Sequence, residues 1–540
     1  MALWFISSVS LRLGGAHLGL FAQESHQSHQ IPSVPADLLQ RPLPLRDGIG
    51  AAHDAVSTTV PQAQAFYDQG LAYLHSYVWV EAARSFHHAL KLDPTLAMAE
   101  VGLSVAYTEL NAPAFARAAL DRARARAADL SDHDRRHIDA RAAQMAAEAE
   151  PHAAGRLAAY RQVLDEALAR FPSDEEFWLL RGRAESSDPA DRGQGSVAGS
   201  VRFYERALAL APPHFAAHHY LTHAFENAGR FEEALKHAVA YARMAPAIPH
   251  AHHMHGHVLR RAGRIDEAVS AFEAADRLEV AYFDGENIPA EYDWHYHHNL
   301  DLLGTSYRYL GQMQQAERLL KTAFAIPSAL LVQVFDKREW PEFLLARGRV
   351  DDALAAANRL IAHPSPVIRA TGHVEAGHAM LVTGRFPAAA AEANAALREL
   401  ESAADGAALV STALQRLQGE FFLRTGKTDK GRALLDEVAR KVRAAPGPDA
   451  WTDALFTLEA IGRAARDVGD WDVAGRMARQ MREHDPAYAG TQYALGLVAD
   501  HAGDAAAAHA AFALAEKYWS KADADLPELA DIRARAERAR

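Results

Sequence analysis

A short motif that recurs along the chain constrains its fold more than any other feature of the sequence. Each copy is a glycine followed five residues later by an alanine, and the copies at 229–234 and 263–268 begin 34 residues apart. The other clear copies lie at 311–316, 348–353, 384–389 and 503–508. A period of roughly 20 to 50 residues is typical of stacked supersecondary units. We therefore predict a repeat architecture, in which each unit packs only on its neighbours.

The unit at residues 62–94 indicates which kind of repeat this is. The positions that carry the pattern are Gly70 and Tyr73 on a first predicted helix, Ala82, Phe86 and Ala89 on a second one, and Pro94 after it. Small residues where two helices cross are typical of the tetratricopeptide repeat, a helix–turn–helix unit. We predict an all-α fold, a right-handed superhelical solenoid of about twelve tetratricopeptide-like helix pairs. The first helix of each pair should line a concave groove.

The chain is expected to divide into four segments. Residues 61–330 form an N-terminal array of repeats and residues 331–540 a C-terminal one. Residues 23–60 contain several prolines and are expected to form an extended lead-in. The apolar run at 1–22 predicts a signal peptide, and hence a periplasmic or secreted protein rather than a cytoplasmic one. No later stretch has the ~20 uninterrupted apolar residues of a membrane span.

Charge and cysteine content exclude several classes of function. The chain has 57 basic and 69 acidic residues, a net charge of -12, which does not suit a protein that neutralises a nucleic-acid backbone. It has no cysteine, so disulfides and thiolate metal sites are excluded. The sequence also contains no glycine-rich phosphate loop, no G-x-S-x-G motif and no H-E-x-x-H motif.

Histidine is concentrated near the middle of the chain. Residues 214–298 contain thirteen of the 29 histidines, where an even distribution would place between four and five. When the units are aligned on their turn glycines, four positions of each first helix lie three or four residues apart and form one stripe, which we expect to face the groove. The stripe consists of Ala216, His219, His223 and Glu226, then His250, His253, His257 and Arg260, then His298, Asp301, Thr305 and Arg308.

The pair His219 and His223 recurs 34 residues later as His253 and His257. Neighbouring helices pack ~8–10 Å apart, and side chains four residues apart on one helix start ~5–6 Å apart. Imidazoles from two such helices could therefore bind one ion with open positions, or contribute to two. We predict that these four histidines are metal ligands and that His298 on the third helix extends the site.

The other polar residues of the stripe are candidates for the chemistry around the ion. Glu226 and Asp301 are the candidate catalytic residues, each as a ligand, an orienting group or a general base. Arg260 and Arg308 are candidates for binding an anionic substrate. Nitrogen ligands without thiolate suit a transition metal, and we favour copper over iron or zinc.

Histidines away from the stripe are expected to have other roles. Those assigned to helix packing or hydrogen bonding are His218, His237, His252 and His255. His295 and His297 adjoin an insertion at 284–294, and their role stays open.

Several short motifs between residues 48 and 310 point to a family. They are Gly-Ile-Gly-Ala-Ala-His at 48–53, Phe-Tyr-Asp-Gln-Gly-Leu at 66–71, Leu-His at 74–75, Asp-Pro at 93–94, Ala-Met-Ala at 97–99, His-Tyr-Leu-Thr-His at 219–223, His-Met at 253–254 and His-Asn-Leu at 298–300. With these motifs the chain resembles a group of bacterial, secreted tetratricopeptide repeat proteins. The resemblance implies that the histidine set is a family feature and that the protein is exported. In that group a second histidine usually stands where this chain has Asp301.

Three functions are consistent with the sequence. The first is a metal-dependent enzyme, an oxidoreductase rather than a hydrolase, acting on a small molecule or peptide in the groove. The alternative is a non-catalytic scaffold that binds a peptide or protein there, and a third is a metal carrier. The C-terminal array is expected to complete the superhelix and offers a surface for a homodimer.

Overall fold

The computed structural model describes residues 34–150, 153–185, 198–327, 335–403, 407–445 and 450–538. Within these ranges every regular element is a helix, and no strand occurs. None of the helices found there is long and apolar enough to cross a membrane. The predicted signal peptide and the start of the lead-in lie outside the described residues and stay predictions.

Among the described residues, twelve helix pairs follow one another from residue 61 to residue 518. The pairs are α2 (Pro61–His75) and α3 (Trp79–Leu92), α4 (Ala97–Glu109) and α5 (Pro113–Ala125), α6 (Asp132–Ala149) and α7 (Ala154–Arg170), α8 (Glu175–Arg183) and α9 (Val201–Leu210), α10 (Phe215–Asn227) and α11 (Phe231–Met244), α12 (Pro249–Arg261) and α13 (Ile265–Glu286), α14 (Trp294–Tyr309) and α15 (Met313–Ala325), α16 (Glu339–Ala346) and α17 (Val350–Ile361), α18 (Pro366–Val382) and α19 (Phe386–Ser402), α20 (Ala407–Arg424) and α21 (Thr428–Ala444), α22 (Ala450–Asp467) and α23 (Trp471–His484), and α24 (Ala489–His501) and α25 (Ala505–Tyr518). A one-turn helix, α1 (Ala36–Leu39), precedes them, and α26 (Pro527–Arg538) follows. The predicted all-α, right-handed superhelical solenoid is confirmed.

Glycines in the left-handed conformation end the first helices of many pairs. They are Gly229, Gly263, Gly311, Gly348, Gly384, Gly426, Gly469 and Gly503, with φ between 71° and 80°. At Gly263 the next amide, of Arg264, donates to the carbonyl of Leu259 at 2.9 Å, which satisfies a helix-end acceptor. Residues with a side chain avoid this conformation, so the turn selects glycine. Tyr77 and Asn111 take its place in the first two turns, with φ of 60° and 55°.

Small residues lie where helices cross, as the repeat pattern predicts. Gly70 on α2 and Gly102 on α4 both face the ring of Phe86 on α3, and a Cβ added to either would lie 2.6 Å or 2.4 Å from that ring. Gly256 on α12 meets Phe272 on α13 in the same way, at 2.7 Å. Because such close contacts leave no free space, they determine how each helix is placed against the next.

The C-terminal array packs against the middle of the solenoid. The ring of Tyr309, at the end of α14, lies 4.9 Å from that of Tyr488, and its hydroxyl donates to Asp485 at 3.0 Å. The amide of Asp523 donates to the carbonyl of Gly311 at 3.1 Å. Through these contacts the C-terminal array covers the central repeats at the end of α14.

The described part of the lead-in lies along the repeats. The amide of Ser57 donates to Asp134 on α6 at 2.9 Å, and the carbonyl of Gly48 accepts from the amide of Ala247, after α11, at 2.8 Å. The segment was expected to be extended, and it includes the one-turn helix α1. It therefore contacts both the first repeats and the central ones.

Replacing Gly263 with alanine should destabilise the solenoid, because the alanine would have to keep a φ of 73°. We expect the free energy of unfolding to fall by about 1 kcal/mol, measured by urea denaturation followed by circular dichroism. Gly155→Ala is the matched control, since nothing lies within 4 Å of a Cβ added at the start of α7. It should keep or raise the wild-type midpoint. Equal midpoints for the two variants would contradict the role of the turn glycine.

Candidate metal centre

The first helices α10, α12 and α14 bring the predicted histidine stripe together. His219, His223, His253 and His257 are only 0%, 3%, 1% and 5% exposed. Polar groups that are removed from water in this way need a protein or ion partner. The positions of their ring nitrogens therefore decide what these histidines do.

His219, His223 and His250 form a first triad. The Nε2 atom of His219 lies 3.1 Å from Nε2 of His223 and 3.0 Å from Nε2 of His250. Nδ1 of His219 donates to the carbonyl of His75 at 2.7 Å, so in the neutral ring its Nε2 atom carries the lone pair. Two nitrogens that bind one ion at ~2.0–2.1 Å lie about 3.3 Å apart in tetrahedral geometry. The spacing of the three Nε2 atoms is thus close to that of ligands of one ion.

His253, His257 and His298 form a second triad, with one ring nitrogen of each within 4.8 Å of the others. Nδ1 of His253 donates to Oδ1 of Asn299 at 3.0 Å. The Nδ2 group of Asn299 donates to the carbonyl of Phe272 at 3.1 Å, and this second bond fixes the orientation of the amide. The Nε2 atom of His253 is therefore the one available to an ion.

Glu226 supports the second triad from the neighbouring helix α10. Its Oε1 atom accepts a hydrogen bond from Nδ1 of His257 at 3.3 Å. Burial raises the pKa of the Glu226 carboxyl, but His257, His223 and Arg261 together lower it by a larger amount, so the pKa lies below its ordinary value. A carboxylate on the outer nitrogen orients an imidazole and makes it a better ligand. The structure thus places this predicted catalytic residue directly behind a predicted ligand.

His295 lies between the two triads. Its ring centroid is 4.9 Å from that of His250 and 4.3 Å from that of His253, and those two rings are 5.7 Å apart. Nδ1 of His295 is hydrogen-bonded to Glu279, while its buried Nε2 atom has no hydrogen-bond partner among the described residues. His295 is therefore a further candidate ligand, and the two triads adjoin each other.

Burial keeps these imidazoles in the form that binds metal. Desolvation and the neighbouring imidazoles lower the pKa of His219, His250 and His253 well below the ordinary value. Desolvation lowers the pKa of His223 to about 4. Because a metal binds the neutral ring, no proton has to leave these four side chains near neutral pH.

Tyr77 closes the first triad from the side of the first repeat. Its ring centroid lies 4.7 Å from that of His219 and 5.2 Å from that of His250, and its carbonyl accepts from the indole of Trp294 at 3.0 Å. The residue has the φ of a turn glycine, which is unusual for an aromatic side chain. A tyrosine at the turn-glycine position of a repeat is the signal by which the sequence could have identified it.

The three other predicted site residues are Asp301, Arg260 and Arg308. Asp301 is buried on α14 and belongs to neither triad in the described part of the chain. Arg260 is hydrogen-bonded to Thr452, and the guanidinium of Arg308 stacks on Phe456 at 3.7 Å from the ring centroid. Both arginines therefore pack against α22 of the C-terminal array.

The structure divides the predicted ligands differently from a single four-histidine site. His219 and His223 belong to one triad, and His253 and His257 to the other, with His298. His250 stands on the predicted stripe without an assigned role, and it completes the first triad.

The histidines assigned to packing lie outside both triads. His218 and His237 pair through their Nδ1 atoms at 2.8 Å, and Nε2 of His252 donates to the carbonyl of Pro246 at 2.9 Å. His75, in one of the family motifs, contacts Tyr220 besides binding His219 through its carbonyl.

Residues 221–287 match the sequence profile of the Tetratricopeptide repeat family. The match begins within α10 and runs to the end of α13, and it includes four of the six triad histidines. The match identifies tetratricopeptide repeats in residues 221–287, and the twelve helix pairs among the described residues repeat the same helix–turn–helix architecture. No curated protein sequence shows significant similarity to the chain.

Several solved structures are similar in fold. A tetratricopeptide repeat protein from Parabacteroides merdae is 15% identical, with a TM-score of 0.34, and the match covers 52% of this chain and 99% of that one. The human IFIT1 dimer with PPP-AAAA is 12% identical, with a TM-score of 0.36 and coverage of 83% and 88%. Yeast Tom70 is 12% identical, with a TM-score of 0.34 and coverage of 88% and 95%. These similarities concern the fold alone.

Acidification should destabilise the metal-free protein. The pKa of His223 is about 4 in the folded chain, against ~6.5 in an unfolded one, so the unfolded chain binds the proton first as the pH falls. The destabilisation caused by His223 is absent above about pH 6.5, and it grows progressively as the pH falls from about 6.5 to 4. His223→Gln cannot take up a proton, and it should reduce the loss by about 2 kcal/mol at about pH 5.

Urea denaturation at about pH 7.5 and about pH 5, with a chelator present, measures this effect. His509→Gln, at an exposed position on α25, is the control and should keep the wild-type pH dependence. If His223→Gln keeps it as well, His223 does not lie buried and neutral.

Proposed function

We propose that this tetratricopeptide repeat protein binds two transition-metal ions, one in each histidine triad. The observation that supports the proposal is the first triad, in which two Nε2 atoms lie within 3.1 Å of the Nε2 atom of His219. Since Nδ1 of His219 donates to a carbonyl, His223 and His250 would both have to donate to one lone pair if no ion were bound. An ion would instead use all three lone pairs.

The ligand set favours copper among the transition metals. All candidate ligands of the triads are imidazole nitrogens, which suit copper, zinc, iron and nickel. Among divalent first-row metals, Cu²⁺ has the highest affinity for a given nitrogen site. Zinc and iron are the alternatives that the metal analysis below distinguishes.

We further propose that the centre carries out redox chemistry. Hydrolysis at a metal ion needs a base that accepts a proton from the bound water. The candidate bases are Glu226, which is engaged by Nδ1 of His257, and Asp301, which is buried on α14. Three imidazoles per ion leave coordination positions open to a small substrate. Copper, the metal that this nitrogen set favours, changes oxidation state whereas zinc does not, so an oxidoreductase is favoured over a hydrolase.

The alternative is a non-catalytic scaffold that binds a peptide or protein. The repeat fold supports it, because stacked repeats create extended concave binding surfaces. The stripe positions at the triads are buried, however, so a peptide would have to bind elsewhere on the inner surface. The metal content of the purified protein decides between the two functions.

The protein purified without a histidine tag should contain about two ions per chain more than the double variant His219→Gln with His253→Gln, one for each triad. His219→Gln and His253→Gln should each remove one ion, because each deletes a ligand from a different triad. His218→Gln and His252→Gln are matched controls, one residue away but outside the triads, and they should keep both ions. Elemental analysis gives the content, and circular dichroism checks the fold.

Metal-free wild-type protein that takes up neither Cu²⁺ nor Zn²⁺ would contradict the proposal and leave the scaffold. Equal metal content in all four variants would contradict the assignment to these triads. If metal is present, the absorption and paramagnetic resonance spectra of copper or iron would support redox chemistry. Zinc alone would support the hydrolase.

Glu226→Gln should weaken metal binding at the second triad, because the amide holds Nδ1 of His257 less strongly than the carboxylate does. Loss of such an outer partner typically lowers metal affinity 10- to 100-fold, roughly. Competition with a chelating indicator measures the affinity, in a His219→Gln background so that the second triad is observed alone. Glu233→Gln, on α11 with its partner Arg230 at the surface, is the control and should leave the affinity unchanged.

A further inference from the structure

A separate cluster of two histidines and two aspartates lies near the start of the solenoid. Its members are Asp54 from the lead-in, His133 and His137 from the first two turns of α6, and Asp174 just before α8. His133 and His137 are four residues apart, so both rings lie on one face of the helix. One ligand atom of each of the four side chains lies within 4.8 Å of the others.

The rings face the two carboxylates directly. Nε2 of His133 lies 2.6 Å from Oδ2 of Asp174 and 3.4 Å from Oδ1 of Asp54. Nε2 of His137 lies 3.7 Å from Oδ2 of Asp54 and 3.8 Å from Oδ2 of Asp174. The last two distances are too long for hydrogen bonds, and this buried nitrogen makes none within the described ranges. A buried donor or acceptor in that state needs an explanation.

The surrounding structure holds each side chain in place. Oδ1 of Asp174 caps α8 by accepting a hydrogen bond from the amide of Phe177 at 3.1 Å, and the other oxygen, Oδ2, faces the rings. The ring of His137 stacks on that of Phe177 with centroids 4.0 Å apart. The hydroxyl of Tyr67 donates to Asp54 at 3.3 Å. Asp54 and His137 are 7% and 6% exposed, and the side chains of His133 and Asp174 are 18% and 12% exposed, so the cluster is largely removed from water.

We propose that Asp54, His133, His137 and Asp174 bind a single divalent transition-metal ion, independently of the two triads. Two carboxylates balance the charge of a divalent cation, and two imidazoles supply nitrogen ligands. Mixed nitrogen and oxygen ligands suit Zn²⁺, Fe²⁺ or Mn²⁺ better than the all-nitrogen triads do. Asp54 is the only one of the four that comes from the lead-in, so the ion fastens this segment to the repeats.

The test uses the full chain with His219→Gln and His253→Gln, so that each triad has lost a ligand. Zn²⁺ is the probe, titrated by competition with an indicator, and Co²⁺ reports the geometry by its visible absorption. This background should bind about one ion tightly. Adding Asp174→Asn should lower the affinity at least tenfold, roughly, while keeping the helix cap, because asparagine caps as well as aspartate. Asp139→Asn, at an exposed position on α6, is the control and should leave the affinity unchanged.

A second measurement does not depend on the triad background. Zn²⁺ should slow hydrogen exchange of residues 50–58 in the otherwise wild-type protein, and this protection should be lost with Asp174→Asn and with His137→Gln. Equal Zn²⁺ affinity with and without Asp174→Asn would overturn the proposal. The proposal would also be overturned if the variant with both triads disrupted bound no ion and Zn²⁺ gave the lead-in of the otherwise wild-type protein no protection. The four side chains would then be only a network of buried ion pairs. The triads could still bind metal in that case, which separates the two proposals.

Discussion

The register between neighbouring first helices is the constraint on which the rest of the structure depends. Several pairs are held by a small residue against a large side chain, as Gly256 is against Phe272, and this close contact leaves the helices little freedom to slide. Equivalent positions of successive units therefore face one another across the inner surface. A shift of one residue would turn a side chain by about 100° around its helix and carry the imidazoles away from each other.

Burial gives this register its chemical consequence. Desolvation lowers the pKa of His219, His223, His250 and His253, so these imidazoles stay neutral near neutral pH, and each buried ring nitrogen needs its own partner. The outer nitrogens of His219, His253 and His257 find a backbone carbonyl, an amide oxygen and a carboxylate. Three chemically different partners on the outer nitrogens direct three Nε2 atoms inwards. Such partners on the outer nitrogens are typical of metal-ligating histidines, as expected for the proposed centre.

The solenoid and the stripe could be predicted because both follow from spacing within and between units. The division into two triads could not, because it depends on the direction of each ring and on the partner of its second nitrogen. His295 joins the site through the packing of the chain that follows the insertion at 284–294, which has no counterpart in the repeat pattern. Tyr77 departs from that pattern too, and the departure becomes meaningful only once its ring is seen against His219.

By itself, the sequence determined the helix pairs, their turns and the face on which four histidines lie, since helical periodicity and turn glycines act within one unit or between adjacent ones. Only the tertiary structure decided which imidazoles lie close enough to share an ion, and that the C-terminal array covers part of the central repeats. It alone brought Asp54 and Asp174 to the histidines of α6. These three segments are far apart in the chain and share no periodic signal, so their meeting depends on how whole elements pack.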